Sequence, residues 1–267
     1  MKKTRQLGDE ILAMCNEYGF DGVDMDWEHP RVDGPSKDQY QELILYLADA
    51  LHAQGKLLTS AVVSGVSADG NIYYDAAAHS DAVLNAVDWI HVMAYDGGDG
   101  ERHSSYDFAV NSAAYWCGTR KMPAGKVVLG VPFYGRPGWA GYGDILAADP
   151  DAGNKDHAMV SGMDVWYNGI STIEKKAAYA RNNLGGIMIW ELTQDTDDSG
   201  KSLLSAIRKG HTMIPYVLLF IPADCKDIFP SGTVPFRPYN PHTVFLGRSI
   251  HIPNFSPTKS TASSMAV

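Results

Sequence analysis

Short apolar segments alternate with amphipathic segments through the first 210 residues of the chain. Near-continuous apolar runs are typical of strands that are buried on both faces of a parallel sheet. We predict such strands at 20–27, 57–63, 88–95, 127–134 and 185–191. Apolar residues at helical spacing predict helices at 4–18 and 38–53, with weaker patterns at 81–86, 107–118, 171–183 and 199–209.

The predicted order is one helix followed by five strand–helix units, which requires a parallel sheet with helices outside it. A doubly wound sheet and a (β/α)₈ TIM barrel both satisfy this order. Polar and aromatic residues follow the carboxyl ends of four predicted strands, at Glu28, Asp96, Arg136 and Trp190. Because barrel enzymes build their active sites at that face, the pattern favours the barrel.

The pattern changes after Gly210. Residues 211–267 contain 8 of the 14 prolines and none of the six tryptophans, and they continue neither a helical nor a strand period. We therefore divide the chain into a body, 1–210, and a Pro-rich tail, 211–267, that we expect to be loop-like or disordered.

Composition narrows the function classes. A formal net charge of −9 argues against a nucleic-acid partner, because phosphate binding depends on clustered Lys and Arg. Three widely spaced cysteines indicate neither a disulfide framework nor a metal site, and no motif points to a cofactor. The longest apolar run, 214–222, is too short to cross a membrane, and the amino terminus lacks the apolar core of a signal peptide.

The predicted strand at 20–27 leads into an unusual stretch, DGVDMDWE at 21–28, which places four acidic residues in eight. Side chains alternate along a strand, so Asp24, Asp26 and Glu28 share one face, and Val23, Met25 and Trp27 share the other. At about 3.3 Å per residue, the backbones of Asp24 and Glu28 lie roughly 13 Å apart. Glu28 is therefore expected at the mouth of the barrel, with Asp24 deep inside.

Carboxylates held close together in a poorly solvated interior are expected to share protons. Glu28, at the open end beside Asp26, would then be a general acid able to protonate a leaving alkoxide. A solvated acidic turn and a divalent-metal loop are the alternatives. We expect no metal, because calcium loops need a flexible Gly-rich turn and this segment has the pattern of a buried strand.

DGVDMDWE resembles the DxxDxDxE signature of glycoside hydrolase family 18, the retaining chitinases. Three later segments continue the resemblance in order: VMAYDG at 92–97 is similar to the family's M-x-Y-D motif, VPFYGR at 131–136 to its seventh strand, and GGIMIWELTQD at 185–195 to its eighth. The resemblance covers nearly all of the body.

The resemblance implies hydrolysis of the β-1,4 linkages of chitin, with the substrate's own acetamido group as nucleophile. It implies that Glu28 is the general acid and then the general base. Asp26 would assist the acetamido group, Asp24 would tune Asp26, and Tyr95 would hydrogen-bond the acetamido group. Trp190 would form the apolar floor beneath the sugar.

The same resemblance suggests further substrate-binding residues, each with a structural alternative. Met93 belongs to the M-x-Y-D motif. Asp96 and Arg136 are candidates for sugar contacts, or for an ion pair that braces the rim. Tyr134 is a candidate contact or a core aromatic, and Trp139 would stack on a sugar ring or cover the rim.

The resemblance also exposes a gap. The acidic motif ends the family's fourth strand, and nothing in the sequence corresponds to strands one to three. We expect a partial barrel of about five strands: a fragment, a truncated product, or a misread gene product whose tail after Gly210 is out of frame. Gly135 to Leu184 is about fifty residues, so we expect no α+β insertion domain.

By resemblance we expect a secreted monomer whose partners are chitin or chito-oligosaccharides, with no nucleic acid and no membrane. Two alternatives stay open. One is an inactive or non-catalytic chitin-binding fragment, and the other is an endo-β-N-acetylglucosaminidase, which shares the chemistry but not the substrate.

Overall fold

A computed structural model describes residues 2–209 and 217–219 of the 267-residue chain. In chain order its strands are β1 (Gly22–Met25), β2 (Leu57–Val63), β3 (Trp89–Met93), β4 (Val127–Pro132), β5 (Tyr134–Gly135), β6 (Ala140–Gly141), β7 (His157–Val160), β8 (Met163–Trp166), β9 (Gly186–Trp190) and β10 (Val217–Leu219). The helices are α1 (Lys2–Glu17), α2 (Ser36–His52), α3 (Asp81–Ala86), α4 (Tyr106–Ala114), α5 (Tyr142–Ala148), α6 (Ile170–Asn183) and α7 (Leu203–Lys209).

The main sheet is parallel throughout, in the order β1-β2-β3-β4-β9-β10. The five predicted strands correspond to β1 to β4 and β9. Within the described residues the sheet stays open, with β1 at one edge and β10 at the other. The prediction of an incomplete TIM barrel is therefore confirmed, and the carboxyl ends of all its strands lie at one face.

The helices cover the outer face of this sheet. The apolar side of α2 is fully buried, including Leu43, Ile44 and Leu47. Val23 and Met25 of β1 belong to the same core, and Trp27 packs edge-on against Tyr40 of α2 with ring centroids 5.7 Å apart. The predicted alternation along this segment is confirmed, because its apolar side chains pack outward against helices while Asp24 and Asp26 lie on the opposite face.

The connection between β4 and β9 contains elements that the sequence pattern did not indicate. They are α5 and two antiparallel ribbons, β5 with β6 and β7 with β8. Each is only two to seven residues long, and periodicity is not informative over so few positions. The β7–β8 ribbon joins the barrel rim through backbone hydrogen bonds between Arg136 and Trp166.

In the Pro-rich tail, β10 pairs in parallel with β9, with Leu218 opposite Met188. This three-residue strand was not predicted; the rest of the tail lies outside the described residues. Cys15 and Cys117 are free thiols, and Cys225 is also outside the described part. No helix among the described residues is long and apolar enough to span a bilayer.

Candidate active site

The carboxylate series rises from the sheet interior into a cleft at the carboxyl ends of the strands. Asp24, in β1, is 1% exposed, and Asp26, just beyond the strand, is 3% exposed. The side chain of Glu28 is 39% exposed. The three residues therefore run from the interior to solvent in the predicted order.

Asp24 is held by side chains from β2, the neighbouring strand, and from β3, the strand beyond it. Its Oδ1 accepts a hydrogen bond from Thr59 Oγ1 of β2. His91 Nδ1 of β3 lies 3.0 Å from the same oxygen, and both residues are buried. On its other side, His91 Nε2 accepts a hydrogen bond of 2.7 Å from Trp89 Nε1. These four side chains form a connected polar group beneath the cleft.

Asp26 is where the series holds its proton. Burial raises the pKa of its carboxyl to about 8, and the charges of Glu28 and Asp24 and a hydrogen bond with Glu28 add to the effect. Near neutral pH, Asp26 is therefore largely protonated and donates to Glu28. Asp26 and Glu28 are therefore the two residues that we expect to share a proton.

The cleft has a volume of about 570 Å³. Among the predicted site residues, those lining it are Asp26, Glu28, Met93, Tyr95, Asp96, Tyr134, Trp139 and Trp190. Asp24 lies beneath the cleft rather than in its wall. Arg136 does not line it either; its guanidinium stands behind the wall, 4.1 Å from the centre of the Trp139 ring.

Aromatic and apolar side chains from three strands form the floor. Tyr95 and Tyr134 are buried and pack with Met188, and Met93 and Trp190 border this cluster. The pKa of Tyr95 is raised well above its ordinary value, first by burial and then by the charges of Asp26 and Glu28. Its hydroxyl therefore remains a hydrogen-bond donor at and around neutral pH.

Several hydrogen bonds hold Asp96 at the rim of the cleft. Its carboxylate accepts hydrogen bonds from Tyr134 Oη at 2.7 Å and from Arg136 Nη1 at 3.2 Å. Burial raises the pKa of Asp96, but the Tyr134 hydroxyl and the Arg136 guanidinium favour its carboxylate, and the net shift of the pKa is downward. The rim-bracing alternative for Asp96 and Arg136 is thus compatible with this geometry, and it does not exclude contact with a sugar.

The structure adds residues that the sequence did not indicate. Tyr73 and Tyr74, in the connection after β2, line the cleft and are 40% and 64% exposed. Asp75 fixes this wall by accepting a hydrogen bond of 3.0 Å from Val32 N, in the connection after β1. His29 also lines the cleft, with Nε2 3.3 Å from Glu28 Oε2.

Signals for some of the unpredicted residues were present in the sequence. His91 alternates in register with Met93 and Tyr95 on the inner face of β3, so its position in the strand was readable. Tyr73 and Tyr74 had no comparable signal, because irregular connections carry no period. Within the described residues, no group of three or more His, Cys, Asp or Glu side chains is placed to hold a metal ion.

Glu191, among the polar residues that end the last predicted strand, has a local role. Its carboxylate accepts a hydrogen bond of 3.1 Å from Thr193 N and caps the short turn Leu192–Gln194. An N-terminal cap of this kind satisfies a backbone donor that the turn leaves unpaired.

The chain is similar to a known protein family and to several known proteins and structures. The family model described as "Glycosyl hydrolases family 18" matches residues 1–195. Chitinase 63 of Streptomyces plicatus is 30% identical over 240 residues, which cover 72% of this chain and 38% of that protein. Chitinase A1 of Niallia circulans is 27% identical over 282 residues, which cover 79% and 40%.

Among solved structures, the family 18 chitinase ChiB from the chitin utilization locus of Flavobacterium johnsoniae superposes with a TM-score of 0.64. It is 32% identical, and the match covers 77% of this chain and 65% of that one. The chain spans well under half the length of the two curated relatives above. The family match extends over most of the described residues and includes every carboxylate of the series, so the chain belongs to glycosyl hydrolases family 18.

Proposed function

We propose that this chain hydrolyses the β-1,4 linkages between N-acetylglucosamine units of chitin by a substrate-assisted mechanism that retains the anomeric configuration. The observation that carries the proposal is the Asp26–Glu28 pair, which shares one proton at the floor of an open cleft while the pKa of Asp26 is raised to about 8. The first step of such a mechanism needs one proton for the leaving oxygen and one negative charge beside the positive charge that develops on the acetamido group.

In that step the acetamido carbonyl oxygen of the bound sugar forms a bond to the anomeric carbon as the bond to the leaving oxygen breaks. Glu28, now holding the shared proton, donates it to the leaving oxygen. Asp26 is left as a carboxylate that accepts the acetamido N–H and stabilises the positive charge of the oxazolinium-like intermediate.

In the second step Glu28 acts as general base. It removes a proton from water, whose oxygen bonds to the anomeric carbon while the bond to the acetamido oxygen breaks. Each step inverts the anomeric carbon, so the product keeps the configuration of the substrate, and Glu28 recovers its proton.

The surrounding residues support these steps. Asp24 places a further negative charge beneath Asp26, which favours retention of the shared proton in the free enzyme. Tyr95 donates its hydroxyl to the acetamido oxygen, and Trp190 provides the apolar surface under the sugar ring. Chitin or its oligomers are the proposed partner. Because chitin is an insoluble polymer, the proposed place of action is outside the cell.

Two substrates that differ only at carbon 2 test the proposal. Chitohexaose carries acetamido groups there, and cellohexaose carries hydroxyls. We expect the full chain to cleave chitohexaose to β-anomers, as followed by proton NMR before mutarotation, and to leave cellohexaose intact. α-Anomeric first products, or comparable cleavage of both hexasaccharides, would contradict substrate assistance.

A further inference from the structure

Asp96 has a backbone conformation that needs support. Its φ angle is +58°, in the left-handed region that residues other than glycine adopt uncommonly. Its amide N–H donates to Nδ1 of His103 at 3.3 Å. Residues held in such conformations persist when their surroundings over-determine them, and they concentrate at functional sites.

His103 is buried, with 1% of its surface exposed, and both of its ring nitrogens face the rim of the cleft. Nε2 lies 3.1 Å from the carbonyl oxygen of Tyr134. A carbonyl oxygen only accepts, so Nε2 carries a proton, and in the neutral ring Nδ1 is the acceptor that the Asp96 N–H requires. One imidazole therefore joins the end of β3 to the end of β4.

The geometry at Asp96 couples this bridge to the cleft. Tyr134, whose carbonyl His103 holds, also donates its hydroxyl to the Asp96 carboxylate, and the rings of His103 and Tyr134 are 5.1 Å apart. Moving His103 would shift the Asp96 backbone and the Tyr134 backbone together. These are the two residues whose side chains meet in the wall of the cleft.

Hydrogen bonds from Lys176 and Asn168 hold the segment that carries His103. The next residue, Ser104, accepts hydrogen bonds of 2.7 Å at its Oγ and at its carbonyl oxygen from Nζ of the buried Lys176. Asn168 Nδ2 donates to the same carbonyl at 2.7 Å. A second cleft, of about 260 Å³, lies beside His103, but the ring itself is almost fully buried. Hydrogen bonds at both ring nitrogens and packing against Tyr134 together set the position of the ring.

We propose that His103 is a positioning residue for the reaction: it holds Asp96 in its left-handed conformation and fixes Tyr134 beside it. This inference rests on the proposed function insofar as Asp96 serves the substrate. His103 itself touches no part of the cleft where the bond is broken, and it acts through the two residues that it joins.

Three substitutions separate hydrogen bonding from packing. His103→Phe keeps an aromatic ring and removes both bonds, and misplacement of site residues by about 1 Å costs up to 10²-fold. We expect kcat/KM for chitohexaose to fall by about 10–100-fold. His103→Asn keeps an acceptor near the Nδ1 position and should recover a large part of that loss. His79→Phe, at another buried histidine that packs between Tyr40 and Trp116, is the matched control and should change kcat/KM little.

A double-mutant cycle gives the decisive readout. If His103 acts through Asp96 and Tyr134, His103→Phe should cost clearly less in an Asp96→Ala background than in the unmodified chain, because one of the two residues that it positions is already gone. Losses that multiply, or equal activities of the Phe and Asn variants, would overturn the proposal, since a merely structural histidine would behave in that way.

A measurement without substrate separates this inference from the proposed function. In ¹⁵N-histidine NMR of the full chain, the resonances lost in His103→Asn should belong to a ring protonated at Nε2 and unprotonated at Nδ1. His103 Nδ1 also lies 3.4 Å from Asp96 Oδ1. A ring protonated at Nδ1, either as the opposite tautomer or as an imidazolium that donates to this carboxylate, would overturn the proposal even in an active enzyme. The expected tautomer in a chain that leaves chitohexaose intact would support the bridge and count against the proposed hydrolysis alone.

Discussion

At the bottom of the carboxylate series, a tryptophan fixes the tautomer of a histidine. The Trp89 indole N–H can only donate, so His91 Nε2 must accept, and in the neutral ring the proton lies on Nδ1. His91 Nδ1 lies 3.0 Å from Asp24 Oδ1, which accepts a hydrogen bond from Thr59. The charge of Asp24 contributes in turn to the raised pKa of Asp26.

Asp26 carries the first prediction. Its pKa is about 8 in the folded chain, whereas an unfolded aspartate ionises near 3.9. Between these values the folded state binds more protons than the unfolded state, so the stability contributed by Asp26 falls as the pH rises from about 4 to about 8. Asp26→Asn, which cannot ionise, should therefore gain stability relative to the unmodified chain, by on the order of 5 kcal/mol at pH 8 and little at pH 4.

Urea unfolding at several pH values measures this difference, and the other titrating groups cancel because both proteins share them. Asp197→Asn, at an exposed position, is the control and should show no such trend. A stability difference between Asp26→Asn and the unmodified chain that is constant from pH 4 to pH 8 would contradict protonation of Asp26 in the fold.

At the scale of elements, β4 makes room for the cleft floor by omitting a side chain. A Cβ atom on Gly130 would lie 2.5 Å from the carbonyl oxygen of Val92 in the adjacent strand. It would also lie 3.0 Å from Cε1 of Tyr95 and 2.9 Å from Cε of Met188. The carbonyl belongs to the backbone and cannot move alone. The ring of Tyr95 fits at its observed position because residue 130 is a glycine, which has no Cβ atom.

Gly130→Ala is therefore expected to destabilise the chain by about 1–3 kcal/mol, in the range of overpacked cores, and to lower activity by displacing Tyr95. Urea unfolding and chitohexaose hydrolysis measure the two effects. Gly118→Ala is the control, since nothing lies within 4 Å of a Cβ placed there. Equal stability and activity of the two variants would show that Tyr95 does not depend on this space.

Regular strands were predictable from the sequence, whereas contacts between distant segments were not. The strand predicted at 57–63 coincides with β2, because a run that is apolar on both faces has few other structures open to it. The common face of Asp24, Asp26 and Glu28 was predictable because successive side chains of a strand point to opposite faces. The partners of Asp96 were not: His103 follows in an irregular connection, and its second contact, Tyr134, lies 31 residues away. Such pairings depend on how strands are placed side by side.

At the scale of the molecule, the parallel order of the strands assembles the site. The carboxyl ends of β1, β3, β4 and β9 deliver Glu28, Asp96, Tyr134 and Trp190 to one cleft, although these residues span more than 160 positions of the sequence. This convergence was predictable from the barrel topology. The cleft wall formed by Tyr73 and Tyr74 was not predictable, because it depends on the hydrogen bond between Asp75 and the backbone of Val32.

The central claim is that Glu28 transfers the proton that breaks the glycosidic bond. The most direct test is Glu28→Gln in the full chain, with chitohexaose hydrolysis followed by chromatography and binding followed by calorimetry. Glu174→Gln, on the exposed face of α6, is the matched control. We predict that Glu28→Gln lowers kcat by about 10²–10⁴-fold while oligosaccharide binding persists. Hydrolysis by Glu28→Gln at the rate of the control would contradict the claim.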